Sequence, residues 1–384
     1  MKADWEIKPL PEIAEYFIGL TYKPEDVGNL GTIVLRSSNV QNDALDLSDL
    51  VRVNRSVKKS LYVRKGDILM CSRNGSKRLV GKTAVIGDLP EEMTFGTFMT
   101  VVRSNCSPYL SWFFRSELFR DQIGVGENTM INQITKYMLD AIRVPLPPLA
   151  EQQRIVAILD EAFDGIATAK VNAEKNLQNA RALFESHLQS VFSQRGEGWT
   201  QRPLGELCEL ISGQHIDAAD YNTESRGIGY LTGPSDFGEM HPVVTKWTEF
   251  PKRMARAGDI LITVKGSGVG KINLMKFPEL AISRQLMAIR ATAAEIEYLR
   301  AFLTTKFDYF QSLANGAAIP GISRGDVLHL LCPMPPPKKM HEVITLIRCM
   351  ADKTQRLESI YKQKLIALDE LKKSLLHQAF SGAL

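Results

Sequence analysis

The stretch Ser72–Thr83, SRNGSKRLVGKT, combines two glycines, four cations and a terminal Gly81-Lys82-Thr83. Such residues could cradle a nucleotide: glycine lets backbone N–H groups approach phosphates, lysine neutralises charge and a threonine hydroxyl can bind Mg²⁺. The spacing does not fit. A phosphate-binding loop needs glycine five positions before the Gly-Lys pair, and Ser76 stands there, with Gly75 one residue early. The motif must also open a helix, whereas the TAVIGD that follows is β-branched and predicts a strand. A second loop, TVKGSGVGK (263–271), fails too, with Lys265 in the glycine position and Ile272 replacing Ser/Thr. Other reaction signatures are also missing: no D/N-P-P-Y/F tetrapeptide for amino-methylation, no G-x-G cofactor loop after a strand, no helicase motif and no paired-carboxylate nuclease signature. Cys71, Cys106, Cys208, Cys332 and Cys349 are scattered, without a C-x-x-C pair, and the six histidines have no ligand spacing. The expectation is a chain that binds no metal or cofactor, with reduced thiols in a cytoplasmic setting; an adapter whose chemistry comes from partners fits these absences, and a nucleotide hydrolase using the glycine loop is the enzymatic alternative.

Two glycine loops at matching places must be positioned by a repeated scaffold, and the repeat is visible. VRKGDILM (63–70) returns as ARAGDILI (255–262), RVPLPPL (143–149) as LCPMPPP (331–337), and KPLPEI (8–13) as RPLGEL (202–207), at offsets of 192, 188 and 194. A period near 190 residues is far longer than a solenoid repeat, so the unit is a whole domain with an appendage. At 384 residues, 44% apolar and 23% charged, the chain is globular and long enough for two to three cores. No apolar run approaches the roughly 18–20 residues that span a bilayer, and MKADWEIKPLPEI lacks the apolar segment of a secretory leader. A net charge of +4 permits an anionic partner without demanding one.

Each half begins with about 140 residues of short β-branched runs between Gly, Asp, Asn and Ser clusters, which read as strands of a mixed, mainly β domain. Helical spacing appears in 107–123 and 295–314. A proline block follows and marks a boundary, since proline continues neither a helix nor a central strand. Residues 150–193 and 338–381 are then rich in helix formers and free of proline. Three- and four-residue steps trace a seam through Leu159, Ala162, Ile166, Ala169, Ala173, Asn176, Ala180, Leu183 and His187 in the first helix. The second seam runs through Ile347, Met350, Thr354, Leu357, Tyr361, Lys364, Leu368, Leu371 and Leu375. One seam is rich in alanine, the other in leucine and tyrosine, so the two helices suit each other better than copies of themselves. At 44 residues and about 1.5 Å per residue, each spans about 66 Å. The fold class is α+β. Two mainly β domains (1–148 and 197–336) in pseudo-symmetric repeat are separated by two long helices (149–196 and 337–384) paired as an antiparallel coiled coil.

The twin GDIL segments at Gly66–Leu69 and Gly258–Leu261, the PLPPLAEQQRIVAIL block (145–159), and the long helices ending SVFS (190–193) and QAFS (378–381) resemble the specificity (S) subunits of type I restriction–modification systems. The resemblance covers essentially the whole chain. It implies two target-recognition domains, each reading half of a split sequence in double-stranded DNA, with the helices as spacer and no catalysis by this chain. It also implies two methyltransferase (M) subunits bringing S-adenosylmethionine, and restriction (R) subunits, where present, bringing ATP and Mg²⁺. One departure stands out: the second block continues KKMHEVITLI, without Glu151-Gln152-Gln153 of the first. The second docking region is therefore expected to meet its partner differently.

The glycine loops then read as phosphate-approaching loops. Arg73, Lys77, Arg78 and Lys82 supply charge in the first domain and Lys265 and Lys271 in the second, with Gly75 and Ser267 in the loops and Asn74 and Ser76 near sugar or base edges. Asn128, Asn132 and Gln133, and Arg324 in the other half, precede the proline blocks and suit base reading; they equally suit turns that cap a helix. Arg284 and Gln285 differ from Thr97 and Phe98 at the matching place, as two half-sites would require. The alternative is a duplicated protein-binding scaffold whose basic loops never meet DNA.

Overall fold

The computed structural model describes residues 5–124, 132–193, 197–314 and 320–384, apart from the side chain of Lys77. The chain forms two compact units: residues 1–174 with 363–384, and residues 175–362. Each therefore contains one mainly β domain and a portion of both long helices, Leu149–Ser193 and Pro337–Ser381.

In unit 1 the strands Glu15–Ile18, Met99–Arg103, Ile68–Cys71 and Thr83–Val85 form an antiparallel sheet in that order, with Val101 opposite both Phe17 and Leu69. A second sheet orders Met93–Phe95, Thr32–Leu35, Val51–Val53 and Val27–Gly28, its first pair parallel. Unit 2 repeats both. Cys208–Ser212, Leu286–Ala291, Ile260–Thr263 and Ile272–Leu274 form the first sheet, and Ile228–Leu231 runs parallel to Glu279–Ile282 in the second. The proline blocks, read from sequence as boundaries, each open as a strand, and the long helices begin at their ends. Arg143–Leu146 pairs with Glu6–Pro9, and Leu331–Met334 with Thr200–Pro203, as two-stranded ribbons where proline's missing N–H does no harm. The predicted helical stretch 107–123 is two helices, because Ser116 caps a second one by accepting from the Phe119 N–H.

GDIL is a structural motif in both units. Gly66 and Gly258 take φ of +87° and +89°, open to glycine at no steric cost. The buried Asp67 then accepts the Arg64 backbone N–H at 2.8 Å and both arms of Arg103 at 2.7 Å. Asp259 does the same with the Arg256 N–H and with Arg290 at 2.9 and 2.8 Å. Such charge-assisted pairs hold the strand entry firmly because the aspartate alone would be a buried, uncompensated charge.

Each core is closed by both long helices. In unit 1 Ile155 and Leu159 of the first helix pack with Leu376, Ala379 and Phe380 of the second; Phe380 lies edge-on to Tyr109 (5.3 Å) and Phe113 (5.6 Å). In unit 2 Leu188 and Phe192 of the first helix meet Ile344 and Ile347 of the second, with Phe192 edge-on to Tyr298 (5.2 Å) and Phe302 (5.5 Å). The start of one helix thus shares a core with the end of the other, and the pairing is antiparallel.

The expected seam positions divide by burial. Leu159, Ile166 and Ala173 are buried, and Ala169, Tyr361, Leu368 and Leu375 are half-buried. Leu183, Leu357 and Leu371 are exposed and do not belong to it. After Ala173 the inward positions are Leu177, Ala180, Phe184 and Leu188, one residue later than a strict heptad at several steps, and on the second helix Glu358, Leu365 and Lys372 lie where Leu357, Lys364 and Leu371 were expected. A helix with 3.6 residues per turn drifts about 20° per heptad from a 3.5 repeat, and the seam follows the helix. Gln152, part of the Glu-Gln-Gln that the second copy lacks, is buried and donates to Pro147 O at 2.8 Å; Met340 occupies the matching place and packs on apolar neighbours.

Candidate nucleic-acid interface

The strands Ile68–Cys71 and Thr83–Val85 are joined by the glycine loop, and a strand, not a helix, follows it. The hairpin closes through Cys71 N–H to Lys82 O and Gly81 N–H to Cys71 O, both 2.8 Å. Gly81 holds φ +85° at this corner and Gly270 holds +84° in unit 2, where an added Cβ would stand 2.8 Å from Phe310 Cβ. Two further segments are stitched to the loop. Ser72 and Arg73 N–H both donate to Phe98 O at 3.0 Å, and Ile134 N–H donates to Ser72 O at 2.7 Å. The result is one rim made of 72–82, 96–98 and 132–136. Unit 2 builds the same rim, with Val264 N–H to Gln285 O (2.8 Å), Gly266 N–H to Pro320 O (2.8 Å) and Ile322 N–H to Val264 O (3.0 Å).

The predicted residues divide by what their side chains already hold. Arg73 is exposed, its guanidinium 5.4 Å from the ring centroid of the half-exposed Phe98, and it borders a groove of about 220 Å³ with Tyr16, Thr97, Gln133 and Lys136. Arg73, Arg78, Lys265, Lys271 and Arg284 are exposed and make no ion pair with any described residue. Gly75 has nothing within 4 Å of an added Cβ, and Ser76 is half-buried, its N–H donating to Asn74 Oδ1 at 2.9 Å. Ser267 is exposed, its carbonyl 3.4 Å from the Gln311 amide. Three expected readers are engaged within the fold. The Asn74 carboxamide also donates to Ser37 Oγ at 3.2 Å, Lys82 donates to Val40 O at 3.1 Å, and Arg324 donates to Leu210 O (2.8 Å) and Ser212 Oγ (2.7 Å). Asn128 lies outside the described residues, as does the Lys77 side chain.

Sequence reasoning missed Lys136 and Tyr137. Thr135 caps a short helix by accepting the Met138 N–H, which places Lys136 over the Tyr16 ring at 5.9 Å and leaves Tyr137 82% exposed on the rim. The signal was present: Thr135-Lys136 stands 188 residues before Ser323-Arg324, where Ser323 makes the same cap. The units also differ beside the rim. In unit 1 Arg115 stacks on Trp112 (4.6 Å) and donates to Asp43 O at 3.0 Å, burial pulling its pKa down. Where unit 2 has Thr304 there is a cavity of about 470 Å³ instead, bordered by Lys271, Glu185 and Asp308.

What the rims offer is donors and cations. The five cysteines are free, and burial pushes the Cys208 and Cys332 thiols up to about 11 and about 12, far from thiolate chemistry at neutral pH. No group of three or more His, Cys, Asp or Glu side chains suited to a metal occurs among the described residues. No helix among them is long and apolar enough to cross a membrane.

Comparison with known proteins gives a consistent picture. Residues 2–178 match the family described as Type I restriction modification DNA specificity domain. Over 99% of its length the chain is 26% identical to the type I restriction enzyme EcoKI specificity subunit of Escherichia coli strain K12, covering 89% of that protein. A chain in a structure describing complex assembly and conformational transition of a type I R-M system superposes with a TM-score of 0.83 at 22% identity, covering 100% of this chain and 99% of that one. The HsdS subunit from Thermoanaerobacter tengcongensis superposes at 0.63, also at 22% identity, covering 100% and 98%.

Proposed function

We propose that the chain is a specificity subunit of the type I restriction–modification kind, not itself an enzyme, and that it reads a bipartite sequence in double-stranded DNA. Each rim meets one half-site. Arg73, Arg78 and Lys136 in unit 1, and Lys265, Lys271 and Arg284 in unit 2, neutralise phosphates or reach base edges. The observation that supports this reading most is the duplicated rim: the same three segments are tied by the same backbone bonds in both units, yet present different exposed side chains. A shared frame with divergent contacts is what two different half-sites need, since backbone contacts position a protein and base contacts specify sequence.

The long helices set the gap between half-sites, and two methyltransferase subunits, with restriction subunits where the system has them, assemble on this chain. Those partners carry S-adenosylmethionine and ATP with Mg²⁺. The test is binding of the assembled methyltransferase complex to DNA across a salt series. Phosphate contacts make log affinity fall linearly with log salt, by about 0.9 per contact. A flat response would favour a scaffold that touches only proteins. Sequencing of methylated sites in host DNA, with and without the gene, should show one bipartite motif lost. Shortening both helices by two turns should change the gap in that motif and leave its halves intact.

A further inference from the structure

The long helices run Leu149–Ser193 and Pro337–Ser381, so they align residue for residue at an offset of 188. On that alignment Lys170 corresponds to Glu358 and Arg181 to Asp369. The ion pairs between the helices use these same four positions. In unit 1 Lys170 Nζ donates to Asp369 Oδ1 at 2.6 Å; in unit 2 Arg181 makes a two-point pair with Glu358 at 2.9 and 3.1 Å. Eleven residues forward on the first helix match eleven back on the second, as one antiparallel register requires. Both cations sit on the first helix and both anions on the second.

The alignment shows what would happen if a helix met a copy of itself. Between two first helices, Arg181 would occupy the place of Asp369 and face Lys170. Between two second helices, Glu358 would face Asp369. Every attractive contact would become a repulsive one. We propose that these four charges are a pairing code: they direct the first helix to a helix of the second type and reject a second copy of the first. The surface around Lys170 and Arg181 thus fits a partner helix with acids at both facing positions, whether that helix is in the same chain or another.

The side chains are partly solvated, with 27% exposure at Lys170, 57% at Asp369, 50% at Arg181 and 16% at Glu358. Exposed pairs add little stability, but discrimination counts each attraction lost and each repulsion gained. With a few tenths of a kcal/mol per contact, the exchange of two mixed pairs for two like pairs is disfavoured about a hundredfold by charge alone.

The exchange variant Lys170→Asp with Asp369→Lys isolates the code. It keeps an ion pair in the mixed arrangement and makes both like arrangements attractive as well. Between two first helices the new carboxylate at position 170 would face Arg181, and between two second helices the new ammonium at position 369 would face Glu358. A protease site is placed in 194–196, and the purified full chain is cut, unfolded in guanidinium chloride and refolded. Native mass spectrometry then counts mixed and like fragment pairs. The uncut chain, taken through the same cycle, must recover its melting transition. The wild type should give mixed pairs, and the variant should show the mixed-to-like ratio lowered about a hundredfold. An unchanged ratio would overturn the code. Failure of the cut fragments of either protein to pair would overturn it too, because contacts between these helices would then not hold them together. In the full chain, Lys170→Asp alone should lower the melting temperature and the exchange variant restore it; no restoration would show that the charges do not act as a pair.

Discussion

The two ends of one strand behave differently. Ile68–Cys71 is entered through Asp67, whose carboxylate is clasped by Arg103; its twin Ile260–Thr263 is entered through Asp259 and Arg290 with near-identical geometry. The same strands leave through loops that share a glycine corner and the backbone ties of the rim but neither length nor side chains, ten residues from Arg73 to Lys82 against seven from Lys265 to Lys271. Entry carries the fold and is built alike in both units; exit faces solvent and differs between them. A duplicated protein thus separates, within each strand, what holds it together from what it presents.

The largest effect should come from the entry. Asp259→Ala removes the acceptor of the Arg256 N–H and the nearer anion of Arg290, which keeps only Glu209 at 3.7 Å, and should cost about 2–3 kcal/mol of unfolding free energy, measured by denaturant titration; a loss under 1 kcal/mol would show that the clasp is ornamental. Phe380→Ala should cost about 3 kcal/mol by removing a buried ring. Protection in hydrogen exchange should fall in unit 1 strands such as Met99–Arg103, which separates this effect from global weakening. At the exit, Arg284→Gln should alter preference at the second half-site by about 1–2 kcal/mol. Arg324→Gln should instead lower the stability of unit 2, because that side chain is engaged with Leu210 and Ser212. Arg73→Gln with Arg78→Gln should weaken binding to all sequences about tenfold and flatten the salt slope by about 1.8. The smallest effect concerns pH. The Arg181 hydrogen bond holds the Glu358 carboxyl below its ordinary 4.5, so its stabilising contribution is complete above that value and fades as pH falls through the lowered one. Glu358→Gln should therefore cost under about 1 kcal/mol at neutral pH, with the difference vanishing in acid.

Much of this was legible in the sequence because duplication writes each landmark twice. GDIL, the proline blocks and the helix pair appear at nearly constant offsets, and the strand after the glycine loop follows from β-branching in TAVIGD. The seam beyond Ala173 was not legible, since a heptad template ignores the slow rotation of a straight helix, and Phe184 rather than Leu183 turns inward. Nor were the engagements of Asn74, Lys82 and Arg324. A basic or amide side chain has the same letter whether it faces solvent or a carbonyl distant in the chain. Val40, which receives Lys82, is 42 positions away. Lys136 and Tyr137 were legible only through the repeat, since the Thr135 cap that exposes them returns as the Ser323 cap 188 residues on.

The closure of unit 1 by Leu376, Ala379 and Phe380 has a consequence for biosynthesis. A nascent polypeptide leaves the ribosome N-terminus first and ordinarily completes its lobes in that order. Here the lobe translated earliest lacks a wall until residues 363–384 emerge, roughly two hundred codons after the rest of it. The lobe translated second has every part it needs by residue 362 and can mature first. A premature stop before codon 363 would then damage the unit whose other residues are translated first.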